Sequence, residues 1–377
     1  MMEAKTTTAP GPVAILGSGE TSAAGRRVLF DLLRRVPEPR TVAVLDSPAG
    51  FQPNHLRVAG KIADFIADSL GELRPQPRVI ETRRAALGTP AGTAARRAIA
   101  EARCVVAGPG SPTYMVRELA GTAYLAAFAQ AHAAGAALYL ASAASIALGA
   151  CSLPVYEIFK AGEVPRWVAG LDLFGPLGLR LAIVPHWNNT EGGDEVDTSH
   201  CFVGRERFEC LLSALPPDVV TLGIDEHTAC VLDFVEETAR VAGKGAVHVL
   251  RGGQMAEYAR GATFPLATLR ADGDDLPTQG RVTAALAPEP VSMAVADPVA
   301  DAEDPPAEAT TDGEASAAAE GVPERLAEAL VALRAELRGG RQFALADQLR
   351  AALAAEGILI EDTPDGPRWR REPEQPS

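Results

Sequence analysis

The stretch AALYLASAASIALG, residues 136–149, decides the fold. Its first six residues form a short apolar run of the kind that makes a buried strand, and from Ala143 onward good helix formers take over. Ser142 stands at the junction. Where a strand turns directly into a helix, the corner residue is projected outward and the next backbone N–H, at the helix start, faces the same side. Glycines usually flank a nucleophilic serine at such a corner because the backbone is crowded, and here Leu140 and Ala144 occupy those places. From the residues alone, Ser142 is either a nucleophile or a serine capping a helix in an alanine-rich core.

Working outward, the same alternation repeats. Short β-rich runs at 12–16, 41–45, 103–107, 136–141, 180–184 and 219–224 are separated by helical patterns at 24–35, 56–69, 91–102 and 122–134. This order predicts an α/β domain, a mostly parallel sheet flanked by helices. From about residue 228 strand follows strand (TACVLDF, TARVAG, AVHVL), which predicts an antiparallel extension at the sheet's edge. The run GPGSPTY, Gly108 to Tyr114, follows one strand and leads into a helix, so its backbone amides are expected in the crevice beyond the strand ends. It matches neither GxxxxGK[ST] nor GxGxxG, which argues against a phosphate loop.

The formal net charge of −14 would by itself argue against nucleic acid, but its distribution changes that argument. Nine acidic residues and no basic ones lie between Ala284 and Val322, in a segment rich in Ala and Pro and poor in large apolar side chains. Such a segment buries too little to offset its ordering entropy. The expected organisation is a disordered tail over 1–10, the α/β domain over 11–284, a disordered acidic linker over 285–322, a helical hairpin module within 323–371 and a tail over 372–377. No stretch approaches the roughly 20 apolar residues that span a bilayer, so a cytoplasmic protein without membrane contact is expected. The five cysteines show no CxxC spacing and read as buried reduced thiols. No HxH or HExxH pair appears, and neither a metal nor a cofactor is expected. His55, His132 and His248 read as surface or satisfied core groups, whereas His227 is a candidate to line the cleft.

Taken together, AILGSGE (14–20), AGPGSPTYMVRELAGT (107–122), ASAAS (141–145) and GIDEHTA (223–229) resemble the dipeptidase E and cyanophycinase family of serine peptidases, over about residues 12–251. The resemblance implies a class I glutamine amidotransferase-like fold and a serine, acid and histidine triad, with the acid and then the histidine following the serine in the chain. Transferred to this sequence, it assigns Ser142 as nucleophile, Glu157 in PVYEIFK as orienting carboxylate and His186 in IVPHWNN as general base. Gly108, Gly110 and Ala143 are expected to supply the backbone groups around the oxyanion. Glu163 competes as the acid and His200, in DTSHCFVGRERF, as the base. GIDEHTA is the closest match and reads as structural, with Asp225 and Glu226 ending a sheet-edge turn. The chain departs from the family in its missing elbow glycines, in the Pro within the Gly-Gly segment and in VPHWNNTEGGDEVDTSHC (184–201). That last stretch, with Asn188, Asn189, Glu191, Asp194, Glu195 and Asp197, is either an exposed acidic loop or a polar ligand site.

At the other end, RQFALADQLRAALAAEGILIEDTPDGPRWR (341–370) resembles the C-terminal, anticodon-binding end of cysteinyl-tRNA synthetase. The HIGH and KMSKS motifs and the zinc-binding cysteines of that enzyme are absent, so the chain is not a complete cysteine–tRNA ligase. From Val322 on, ten acidic residues and eight arginines leave a balance of −2, with no strong electrostatic footprint for RNA. Two functions are thus expected in competition. One is hydrolysis of a small peptide or related amide through an acyl-serine. The other is a catalytically degenerate binding protein that uses the tail to hold tRNA or a protein partner.

Overall fold

The computed structural model describes residues 9–273 and Leu276 and, further on, residues 330–331, 353, 358–363 and 366–371. The expected linker at 285–322 and most of the expected helical hairpin lie outside the described residues. In the C-terminal unit two strands, Ile358–Thr363 and Gly366–Arg371, pair antiparallel from Ile358 opposite Arg371 to Thr363 opposite Gly366.

In the N-terminal unit β1 (Val13–Leu16), α1 (Ala23–Leu33), β2 (Thr41–Leu45), α2 (His55–Ser69), β3 (Gln76–Ile80), α3 (Pro90–Ala100), β4 (Cys104–Ala107), α4 (Pro112–Leu119), α5 (Ala123–Ala133) and β5 (Ala137–Ala141) follow in alternation. Then come α6 (Ala143–Ala147), β6 (Cys151–Ser152), α7 (Val155–Phe159), β7 (Val168–Ala169), β8 (Leu181–Val184), α8 (Arg205–Ser213) and β9 (Val220–Ile224). The strands β10 (Thr228–Asp233), β11 (Thr238–Gly243), β12 (Val247–Arg251), β13 (Gln254–Tyr258) and β14 (Thr263–Pro265) close the unit. Each of the ten elements read from the sequence between residues 12 and 224 is present. Among the elements the pattern did not reveal is β3, whose proline and polar side chains mask it at the sheet edge.

The strands form two sheets rather than one. The first has the order β14-β11-β10-β1-β5-β4-β2-β3, parallel from β1 to β3 and antiparallel from β1 through β10 and β11 to β14. The second has the order β13-β12-β9-β8-β6-β7, in which β9, β8 and β6 run parallel. The expected strands 180–184 and 219–224 therefore belong to a second sheet. Strand alternation builds the layers: Val13 and Ile15 of β1 face one core and Ala14 and Leu16 another. The first core is shared with Ile183 of β8, Leu222 of β9 and the helices α3 and α5, whereas the second lies under α1 and α2. A third core packs α8 and Trp167 on the far face of the second sheet.

Thr89, Ser111 and Thr122 cap α3, α4 and α5, each hydroxyl accepting the N–H three residues on. Among the described residues no helix is long and apolar enough to cross a membrane. The cysteines are all free, and Cys104, Cys201 and Cys230 are buried as read. Cys151 is only half-buried and Cys210 is exposed, contrary to that reading, because α8 turns Phe208 and Leu211 inward and Cys210 outward. Since Phe128 is 1% exposed in the first core, Phe128→Ala is expected to cost about 3–5 kcal/mol in urea unfolding. Thr89→Ala, which removes the cap on Gly92 N–H and an exposed bond to the Ala86 carbonyl, is expected to cost about 1 kcal/mol.

Candidate active site

Ser142 ends β5 with φ 51° and ψ −117°. Side chains other than glycine pay about 1–3 kcal/mol there, so the elbow is strained even though its flanking glycines are missing. The flanking residues Leu140 and Ala144 are both fully buried. The Ser142 N–H donates to the carbonyl of Leu16, and Ala144 N–H donates to the carbonyl of Gly108. The serine corner is thereby tied to the end of β1 on one side and to the Gly108–Ser111 loop on the other.

His186 leaves β8 two residues after Val184, also at positive φ, and its N–H donates to Gly17. Its Nε2 lies 3.0 Å from Ser142 Oγ. Its Nδ1 lies 2.9 Å from Glu226 Oε1. A carboxylate only accepts, so Nδ1 carries the hydrogen and Nε2 presents its lone pair to the serine hydroxyl. The acid expected at this place was Glu157, and the structure corrects that assignment. β8 and β9 are adjacent and parallel, so His186 and Glu226 leave the same edge of one sheet. Glu157 sits on α7 instead, its Oε2 buried without a hydrogen-bond partner.

Glu226 is itself held. Asn189 Nδ2 donates to the same Oε1 at 2.9 Å, and Asn188 Oδ1 accepts the Glu226 N–H at 2.8 Å. Partial burial opposes ionisation of Glu226. The hydrogen bonds from His186 and Asn189, with the charges of His186 and His227, outweigh it and lower its pKa. Of the asparagines of HWNN, read as part of an acidic loop or ligand site, Asn189 is thus engaged by the Glu226 carboxylate and Asn188 by the Glu226 backbone N–H. The sequence reading missed Glu226. Its available signal was GIDEHTA itself, a charged turn directly after a strand that runs parallel to the one bearing His186.

The competing residues stand elsewhere. Glu163 pairs with Arg166 at the surface. His200 stacks on Phe208 and meets Trp187 edge-on, with Nδ1 near Ser199 Oγ. Burial lowers its pKa to about 4, against the opposing pull of Asp197. Thiol chemistry is disfavoured as well. Burial pushes Cys104 and Cys230 up to about 12, and Cys201, whose N–H donates to the His186 carbonyl, also well upward. Gly108 turns its carbonyl toward α6, where it accepts the Ala144 N–H, and Ala143 is the first residue of that helix. Gly110, at φ 149°, has no room for a side chain, since a Cβ there would come within 1.8 Å of the Pro48 carbonyl.

His227 is exposed beside Glu226, its N–H donating to Ser18 Oγ. His132 Nε2 donates to the Gly11 carbonyl in the core, and His248 Nε2 lies 3.1 Å from Asp225 Oδ1. Asp46, His55 and Glu81 bring potential ligand atoms within 4.8 Å of one another. Arg83 already occupies both carboxylate oxygens of Asp46, at 2.9 and 2.6 Å.

The arrangement brings a serine hydroxyl, an imidazole and a carboxylate together at the open edge of an α/β fold. The solved structures similar to it include a peptidase from an acI-B1 Actinobacterium, with a TM-score of 0.54 and 17% identity over 68% of this chain and 97% of that one. A peptidase E-type protein from Listeria monocytogenes EGD-e covers 67% of this chain and 99% of its own, with a TM-score of 0.40 and 13% identity. No family model matches the chain. Among curated proteins, a 44-residue segment is 59% identical to the cysteine–tRNA ligase of Symbiobacterium thermophilum, and a 48-residue segment is 56% identical to that of Thermococcus onnurineus. These segments amount to 12% and 13% of this chain and 9% and 10% of the ligases. The chain thus spans about a tenth of the length of the curated relatives it matches.

The depressed His200 makes a testable contribution to stability. In the unfolded chain it binds a proton below about pH 6.5, whereas in the folded chain it does so only below about 4. Between those values the unfolded state holds more protons, so stability falls as pH drops through the window. His200→Phe, which keeps the stack, is expected to retain about 2–3 kcal/mol that the parent loses between pH 6.5 and 4, read from urea melts at the two pH values.

Proposed function

We propose that the N-terminal unit is a serine-type peptidase or amidohydrolase that cleaves a peptide or related amide through an acyl-Ser142 intermediate. The observation that carries this reading is the continuous line Ser142 Oγ to His186 Nε2, 3.0 Å, and His186 Nδ1 to Glu226, 2.9 Å. His186 takes the hydroxyl proton as Ser142 Oγ attacks the carbonyl carbon, and the resulting imidazolium faces the ionised Glu226. The N–H groups of Ala143 and Gly110 are the proposed donors to the tetrahedral oxyanion. As the C–N bond breaks, His186 passes its proton to the leaving nitrogen. Water then repeats the sequence on the acyl-serine, giving the free acid and restoring the hydroxyl.

A fluorophosphonate probe is expected to label the full-length chain at one site. Ser142→Ala should abolish labelling, and His186→Ala should slow it by about two orders of magnitude or more. Glu226→Gln should slow it strongly, whereas Glu157→Gln should leave it near the parent rate. Labelling that depends on Glu157 and ignores Glu226 overturns the assignment of the acid. Absence of labelling in the folded protein favours a degenerate binding protein.

For the C-terminal segment we propose an interaction module joined through the acidic stretch 285–322, with tRNA or a protein as partner. The similarity to cysteine–tRNA ligases over 44–48 residues supports this reading. Since its arginines are offset by carboxylates, filter binding of tRNA by the full chain at physiological salt is expected to be weak. Tight, steeply salt-dependent retention would show a basic face that composition conceals.

A further inference from the structure

Phe51 and Tyr156 are among the few large apolar side chains left exposed on the described surface, at 44% and 38%. They come from segments more than a hundred residues apart, yet their rings meet edge-on at 6.1 Å, and Phe51 also meets Tyr114 at 5.8 Å. Contact between distant exposed aromatics makes a surface of defined shape rather than scattered apolar residues.

That surface adjoins the serine through continuous backbone. Tyr114 follows the Gly108–Ser111 loop directly, and the Pro48 carbonyl accepts the Ser111 N–H at 2.7 Å, which seats the Pro48–Phe51 segment on that loop. Gly50 packs so closely that a Cβ there would meet both Tyr114 and Arg83 at 2.8 Å. The apolar surface continues toward the histidine through Phe159, which shares α7 with Tyr156, to Phe202, 5.5 Å from the His186 ring. The leaving nitrogen must lie toward His186, which protonates it, so the acyl part lies on the side of Phe51 and Tyr114, beside the Gly108–Ser111 loop.

Building on the serine-hydrolase reading, we propose that Phe51, Tyr114 and Tyr156 form a specificity shelf for an aromatic or large aliphatic side chain on the residue whose carbonyl Ser142 attacks. The charges nearby do not prepare the shelf for an acidic side chain. Arg83, beside Tyr114, is bound on both nitrogens to the fully buried Asp46 carboxylate. Arg117, 4.7 Å from the Tyr114 ring centroid, has Glu118 3.7 Å away. Both guanidinium groups beside Tyr114 thus have carboxylate neighbours, and the rings of the shelf itself present apolar surface.

The test compares α-aminoalkyl phosphonate diphenyl esters, which phosphonylate Ser142 with loss of phenol and carry the acyl-side substituent as benzyl, methyl or carboxymethyl. The benzyl ester is expected to react about tenfold or more faster than the methyl ester, with the carboxymethyl ester no faster than methyl. In the double variant Phe51→Ser, Tyr156→Ser, both exposed positions and so tolerant of exchange, the benzyl-to-methyl ratio should fall to about one. A carboxymethyl preference, or a benzyl preference that survives the double variant, overturns the shelf while fluorophosphonate labelling upholds the serine site. Failure of the small fluorophosphonate itself in the parent overturns both.

Discussion

The site hangs on the backbone of two residues, Leu16 and Gly17, where β1 ends between the two sheets. Leu16 accepts the N–H of Ser142, Gly17 accepts that of His186, and Gly17 donates to Thr228 just beyond Glu226. Three segments that are remote in sequence are thus fixed to one dipeptide. The junction is so close that a Cβ on Gly17 would come within 2.1 Å of the Asp225 carbonyl and 2.5 Å of that of Ile224. This explains the first glycine of AILGSGE as a packing requirement: only a residue without a side chain lets the turn after β9 approach the end of β1.

Much of this was legible in the sequence, and the exceptions have physical causes. Ser142 and His186, which the fold brings within 3.0 Å of each other, each follow an apolar run, and strand ends are where open sheets collect polar side chains. Glu226 was assigned a structural duty, and that was half right. The turn is structural on one face, where Asp225 accepts the Ala246 N–H and meets His248. The next residue points its carboxylate to the cleft. Which acid reaches His186 is decided by the lateral pairing of β8 with β9, a non-local fact that local pattern does not carry. Glu157 had plausible spacing along the chain but no strand to bring it there. The split into two sheets was hidden for a similar reason, since β6 and β7 are only two residues each.

Backbone strain concentrates in the same region. Of the nine residues other than glycine with positive φ among those described, Ser142, His186, His200, Cys201, Phe202 and His227 lie in the loops around the serine. Such conformations persist only where surrounding bonds over-determine them. Here the bonds are visible: the carbonyl of His186 accepts from both Asn189 and Cys201, while Trp187 receives the N–H of His200. Trp187 is packed in turn by His248, His200 and Phe208. The aromatic stack is a buttress for the histidine loop, and it accounts for a His200 that is half-buried and held neutral down to about pH 4.

The separation of the three groups along the chain has a consequence for biosynthesis. Glu226 lies 84 residues after Ser142, so at about 5–20 residues per second the serine precedes its acid by roughly 4–17 s of translation. During that interval the histidine lacks the carboxylate that fixes its tautomer, and β1 lacks the β10 neighbour that seats Gly17. A ribosome-bound or prematurely terminated chain therefore carries the serine without its hydrogen-bonded line. Timing alone thus separates the appearance of the serine from that of the carboxylate which completes the line.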